Sequence, residues 1–234
     1  MHREPNGATP RRILVIMGND RYDDNVMQMA RAALRGAIAA DCYANLRILP
    51  EIIPDNLVRC SQCDGTKECR IRDGLEHFIR RDLEQADGIV LCSRVTAEGH
   101  TRDMEAFVQR SLCYREHHPS PIRFGNGRRP TPMALSLLLE NASLESLKNI
   151  DVKMIDYARR MGGYMSKILV SQVPGSELGV ERDYRASLKA VQRMSRYLLY
   201  TDPREFDMEF VNCPPKNHDH RYAFGSWGSL PDIH

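Results

Sequence analysis

The chain of 234 residues is 42% hydrophobic and 27% charged. That composition excludes intrinsic disorder and a disulfide-stapled miniature scaffold, and it suffices for one domain with appendages. Its 33 basic and 31 acidic side chains leave a net charge of +2, so electrostatics makes no case for nucleic acid or an anionic membrane as a partner. No apolar run approaches the roughly 18–20 residues of a membrane span, and the opening MHREPNGATPRR lacks an apolar signal-peptide core. Residues 1–10 read as a disordered leader, and the protein as cytoplasmic.

Arg11–Met17 is a short β-rich apolar run that ends at Gly18 and reads as a buried strand. Val26, Met29, Ala30, Ala33, Leu34, Ala37 and Ile38 then recur at helical spacing. Asn45–Leu49 is a weak second strand, after which Pro50 and Pro54 open a loop. Asp73 and Glu76 have capping-box spacing, and Leu75, Phe78, Ile79, Leu83 and Ala86 supply one apolar face, so the spacing predicts a helix over 73–86.

Gly88–Ser93 is the clearest strand, apolar throughout as a strand buried on both faces should be. Thr101 is placed to cap a helix with Asp103 and Glu105 in its first turn and a stripe of Met104, Phe107, Val108 and Leu112. Residues 114–131 form the longest internal loop. Pro132–Leu139 is a strand, Ser143–Met161 a helix, and Tyr164–Val173 a fifth strand. Tyr184, Leu188, Val191 and Leu198 mark a final helix, and the proline-bearing tail from Thr201 reads as mostly irregular.

Alternating strands and helices predict a doubly wound, five-stranded parallel α/β sheet over residues 11–200, with helices on both faces and a tail over 201–234. Ligands in such sheets sit beyond the carboxyl ends of the strands. The expected ligand loops are therefore Gly18–Asn25, Ser93–Thr101 and Glu140–Ser143.

Seven cysteines cannot all pair within one chain. Three crowd together as Cys60-x-x-Cys63-x5-Cys69, a cluster that in a reducing compartment points to metal or redox chemistry more often than to disulfides. Three readings stay open. An iron–sulfur cluster takes four thiolates, one more than the loop supplies. Zinc would need a fourth ligand from elsewhere, such as His77, Cys213 or a tail histidine. In the favoured reading the loop carries no catalytic cluster and its thiols stay reduced. Cys92 reads as a buried, inert thiol. His218, Asp219 and His220 read as a polar tail, and Trp227, flanked by Gly225-Ser226 and Gly228-Ser229, as a residue that needs a docking surface.

Four segments together carry a resemblance. They are Gly18-Asn19-Asp20-Arg21 followed by Asn25-Val26; the cysteine loop followed by Asp73; Ala86–Glu98 (ADGIVLCSRVTAE); and Met104–Arg110 (MEAFVQR). Over about residues 11–113 the chain resembles the flavodoxin-like NAD(P)H-dependent FMN reductases, above all the branch that includes the iron–sulfur flavoproteins. The resemblance implies a flavodoxin-like fold and FMN held by Gly18, Asn19, Arg21, Asn25, Ser93, Arg94, Val95, Thr96, Gly99 and Asn141. It further implies NAD(P)H as co-substrate, a small-molecule acceptor, and a homodimer or homotetramer. Cys60, Cys63 and Cys69 are the family's candidate metal ligands.

The departures from the family pattern fall at the flavin. Its Ser-Pro after the first glycine is Asn19-Asp20 here, its Thr is Val26, and its Pro-Val-Tyr-Phe-Gly is Arg94–Glu98. Asp20, Asp23 and Asp24 read as helix-capping residues or as ligands for a metal or a cationic group. A carboxylate beside a phosphate is repulsive without a cation between them, and Arg21 is the cation of that loop. Arg94, at the end of the best strand, is an exposed loop residue or an anion ligand. The expected function is an FMN-dependent oxidoreductase passing reducing equivalents from NAD(P)H to an acceptor. The alternative is a flavodoxin-like protein that has lost flavin and serves as an accessory subunit or binds another small ligand in the former pocket.

Overall fold

In the computed structural model, which describes residues 11–19, 25–53, 71, 73–96, 98–117, 123–127, 130–139, 144–172, 192–193 and 207–211, the first apolar run forms β1 (Arg12–Met17). It lies between β2 (Tyr43–Ile48) and β3 (Gly88–Thr96), parallel to both. β3 pairs in parallel with β5 (Thr131–Leu139), β5 with β6 (Gly163–Gln172), and β6 with β7 (Asp207–Val211). A two-residue strand, β4 (Gly99–His100), folds back antiparallel onto the end of β3. The order is β2-β1-β3-β5-β6-β7. The five expected strands are thus all present and parallel, in the arrangement of a flavodoxin-like sheet, and β4 and β7 join them.

Strand side chains alternate between two faces, and both faces are covered. Leu14, Ile16, Ile89 and Leu91 pack with the short α2 (Leu49–Ile52), α3 (Leu75–Phe78), α4 (Arg102–His117) and α5 (Leu144–Arg160) on one side. Ile13, Val15, Met17, Val90 and Cys92 pack with α1 (Asn25–Ile38) on the other. That is why β1 and β3 read as unbroken apolar runs instead of alternating ones. Phe107, Tyr157 and Phe124 meet edge to face, with ring centroids 5.8–6.0 Å apart, and tie α4 and α5 to the segment before β5.

Several expectations are corrected. The helix expected over 73–86 begins as α3, widens into a π-helical turn at Ile79–Leu83 and ends there. All five predicted stripe residues are nonetheless buried. Asp73 stands one residue before the Gly74 N-cap and accepts the Leu75 N–H at 3.1 Å, and Glu76 pairs with Arg80. Ile38 is 61% exposed, because the last turn of α1 packs through Gly36 and Ala37.

Phe124, in the stretch expected as loop, is fully buried, and its N–H donates to the Met161 carbonyl. The tail contributes β7, whose Met208 and Phe210 alternate with acidic residues, so it is less irregular than expected. The final helix expected near Tyr184–Leu198 lies outside the described residues except for two helical positions, 192–193. Among the described residues, no helix is long and apolar enough to cross a membrane.

Candidate functional site

The loops after β1 and β3 converge at the carboxyl end of the sheet, and backbone groups make the junction. The Gly18 N–H donates to the Cys92 carbonyl at 2.9 Å, continuing the β1–β3 pairing one residue past the strand. The Thr101 hydroxyl donates to the Gly18 carbonyl and also accepts the Met104 N–H at 3.4 Å. Thr101 is therefore the cap of α4, as its position in the sequence predicts, and in addition a clamp between the two loops. Ser93 Oγ lies 3.4 Å from the Thr101 hydroxyl and donates to the Arg94 carbonyl at 3.0 Å.

This closeness demands glycine at position 18. A Cβ there would stand 2.9 Å from both Cβ and Cε of Met104 and 3.1 Å from Thr101 Oγ1. The methionine tip could swing away; the Met104 Cβ is fixed to the helix. We expect Gly18→Ala to cost about 1–3 kcal/mol, the scale of overpacking a filled site, and to part the two loops. Paired urea unfolding and ligand titration of the variant check this, and a variant as stable as the parent would refute the clamp.

The second loop differs from the expected open one. β3 continues to Thr96, turns, and returns as β4, with Val95 opposite His100 and Thr96 opposite Gly99. Gly99 has φ +116°, a conformation open chiefly to glycine, and the Thr96 hydroxyl accepts the Glu98 N–H at 3.3 Å. Val95 is buried, while Arg94 and Thr96 are half-buried.

The hairpin also places His100, which the sequence reading passed over. Both of its ring nitrogens are buried without a partner among the described residues. Burial pushes its pKa down to about 4, with Glu105 opposing and Lys153 reinforcing the shift, so the ring is neutral at pH 7. Beside it, Lys153 of α5 bridges to Glu105 of α4 at 2.5 Å, and Gln109 donates to the same carboxylate. A lone histidine between Gly and a capping Thr gave no signal, because its burial depends on α5 closing over the hairpin.

The structure thus brings together Gly18, Asn19, Ser93, Arg94, Val95, Thr96 and Gly99, with Asn25 opening α1. Asn19 is 7% exposed. Asp20, Arg21, Asp23, Asp24 and Asn141 lie outside the described residues, as do Cys60, Cys63 and Cys69. Among the described residues, no group of three or more His, Cys, Asp or Glu side chains is arranged to hold a metal ion. Cys92 is fully buried, and burial raises its pKa to about 12, so its thiol is inert.

A groove of about 330 Å³ opens elsewhere, near the amino ends of β1 and β2, between Arg12, Tyr43, Asn45, Arg47 and Arg81. Two of its arginines are engaged within the protein. Arg47 forms a two-bond ion pair with Asp82 at 2.9 and 3.1 Å, and Arg12 bonds Gln85. That groove lies at the wrong end of a parallel sheet for the ligand such folds take.

No protein-family model and no curated protein matches the sequence. Solved structures do match. An NAD(P)H:quinone oxidoreductase from Methanothermobacter marburgensis aligns with 83% of this chain and 100% of its own, at TM-score 0.58 and 12% identity. An azoreductase from Bacillus anthracis str. Sterne aligns with 80% of this chain and 99% of its own, at TM-score 0.54 and 10% identity. RosB, with the bound intermediate 8-demethyl-8-formylriboflavin-5'-phosphate, aligns with 94% of this chain and 98% of its own, at TM-score 0.55 and 11% identity. At such identities the likeness speaks for architecture, and it agrees with the strand order: this chain has the flavodoxin-like α/β fold.

Proposed function

We propose that the protein is a flavin-dependent oxidoreductase that takes reducing equivalents from NAD(P)H and passes them to a small-molecule acceptor, with FMN seated across the loops after β1, β3 and β5. The observation that carries this reading is the clamp at the carboxyl end of the sheet. There Gly18 is pressed so close to α4 that a Cβ would collide, and Thr101 locks its carbonyl to the second loop. Such a backbone-lined junction at the strand ends, beside a helix start, is where this architecture receives a phosphate-bearing cofactor. The names of the matching structures point the same way.

The residues present fit a flavin through backbone groups more than through side chains, since the hydroxyls of Ser93 and Thr101 are already engaged within the protein. Bound FMN would supply the hydride chemistry. The chain's part would be to orient and enclose. Gly18 and Asn19 would form one wall and the β3–β4 hairpin the other, and Arg21 would meet the phosphate. The neutral His100 ring adds no charge beside the site. We further propose a homodimer or homotetramer, which light scattering tests, and a cytoplasmic location, which fractionation of cells tests.

Arg21→Ala is expected to weaken FMN binding by about 1.5–3 kcal/mol, the scale for losing a charge-assisted hydrogen bond. Quenching of flavin fluorescence on titration measures it, and an unchanged curve would remove Arg21 from the site. A second reading is kept because Arg94–Glu98 lacks an aromatic residue and is folded into a hairpin. In that reading flavin has been lost and the loops hold another small ligand or a partner. Purified protein with a 450 nm band supports the first reading, and colourless protein that ignores added FMN supports the second.

A further inference from the structure

We propose that Arg115, Arg123 and Arg160 form a binding site for an oxyanion of the phosphate class at the amino-terminal end of the sheet, opposite the flavin loops. α4 and α5 run back against the parallel strands, so their last turns lie at that end. Arg115 and Arg160 sit in those last turns, and Arg123 precedes the buried Phe124. Arg115 lies thirteen residues beyond Arg102, about 20 Å along the helix from the clamp at its start.

Three observations make this a built site. The aliphatic stem of Arg123 rests on the α5 C-cap, where Gly162 has φ +82° and a Cβ would lie 3.5–3.7 Å from Cβ, Cγ and Cδ of the arginine. The neighbouring backbone is pinned by the Phe124 N–H to the Met161 carbonyl at 2.9 Å. Arg115 Nη1 is buried and finds no acceptor among the described residues. No described carboxylate pairs with Arg115 or Arg123, whereas Arg160 reaches Glu116 and Asp156, and Asp156 also serves Arg159.

Among the described residues, four guanidiniums (Arg115, Arg123, Arg159 and Arg160) are therefore set against two carboxylates, Glu116 and Asp156. The two helix termini contribute about half a negative charge each, which offsets about one of the two surplus positive charges. Two carbonyls of the last turn of α5 are engaged by the backbone, with Met161 N–H to Tyr157 O and Gly162 N–H to Arg159 O, both 3.0 Å. Burial, with Arg123 and Arg160 adding repulsion, lowers the Arg115 pKa, as expected of an uncompensated cation.

A phosphate group answers both deficits. Its charge cancels the surplus, and its oxygens accept from the planar forks of Arg115 and Arg123 at once. Chloride lacks that geometry. The shared chemistry is the phosphoryl oxyanion, free or carried on a small metabolite, and inorganic phosphate and glycerol phosphate serve as the two probes.

The test compares the full chain with Arg115→Gln and Arg123→Gln by calorimetric titration and by thermal melting. At about 10 mM, a binding phosphate raises the melting temperature above that in sodium chloride of equal ionic strength. Each substitution is expected to weaken phosphate binding about tenfold or more, as loss of a charged bidentate donor requires. In chloride alone the variants should melt at or above the parent, because each removes a repelled charge. Tighter binding of glycerol phosphate than of inorganic phosphate assigns the site to a carried group, and the reverse assigns it to the free ion. Three results overturn the proposal: no response to phosphate, equal phosphate affinity in the parent and both variants, or variants that lose the same stability in chloride as in phosphate.

Discussion

Replacing Arg110 with alanine is expected to destabilise the protein by about 3–5 kcal/mol, the range for breaking a buried ion pair from one side. Arg110 is 4% exposed, although it sits on α4 within a stretch that otherwise carries ordinary surface charge. Its two terminal nitrogens meet the Asp73 carboxylate at 2.5 and 3.1 Å. The same carboxylate accepts the Leu75 N–H that starts α3. One side chain thus closes α4 onto the start of α3. Truncation leaves Asp73 charged, largely enclosed and short of two donors. Swapping both partners for apolar residues should recover much of the loss, because an apolar pair leaves nothing unsatisfied. Urea midpoints at constant slope measure both effects. A loss below about 1 kcal/mol for Arg110→Ala would place this pair with the weak surface bridges instead.

The contrast between Arg110 and the strands shows what a sequence makes readable. β1 and β3 announce themselves because burial on both faces forces every position to be apolar, and nothing else in a soluble chain looks like that. Thr101 was legible because capping is local. The clamp it makes to Gly18 was not, since a hydroxyl meeting a carbonyl eighty-three residues away leaves no trace in spacing. Phe124 was hidden by its neighbours: a single aromatic among glycines and arginines has no period, and its burial is decided by Tyr157 and Met161. β7 is five residues long and lies between prolines, so its alternation was too brief to outweigh the breakers around it. The convergence of the loops after β1 and β3 at the carboxyl end of the sheet was legible, because the topology of a parallel sheet dictates it. What such loops hold is less legible from side chains, because backbone N–H groups can bind a phosphate whatever side chains accompany them. His100, Arg110 and Asp151 share one reason for being missed. Each has polar side-chain atoms buried by tertiary packing, although His100 as a whole is half-buried, and periodicity alone assigns such residues to the surface.

Asp151 should give this protein an unusual pH dependence. The residue is 3% exposed on α5, among Leu147, Ile150 and Met154, and neither carboxyl oxygen has a partner among the described residues. Burial alone raises its pKa to about 7. The native state therefore keeps a proton that the unfolded chain, titrating near 3.9, has already released. Between about pH 4 and pH 7 the native state binds more protons than the unfolded one, so stability falls as pH rises through that window and levels off above it. At about 1.36 kcal/mol per pH unit, the full span reaches roughly 4 kcal/mol. His100 acts in the opposite sense: its depressed pKa contributes stability that is present above about 6.5 and lost as pH falls toward 4. The two slopes overlap, so the parent's profile by itself does not separate them. The difference between parent and Asp151→Asn does, because the amide keeps the shape of the neutral acid and does not titrate. The variant should match the parent near pH 4 and exceed it by up to about 4 kcal/mol at pH 8 in urea unfolding. Parallel profiles across that range would mean that Asp151 ionises at an ordinary pH in the native state, with water or a hydrogen-bond donor reaching its carboxylate.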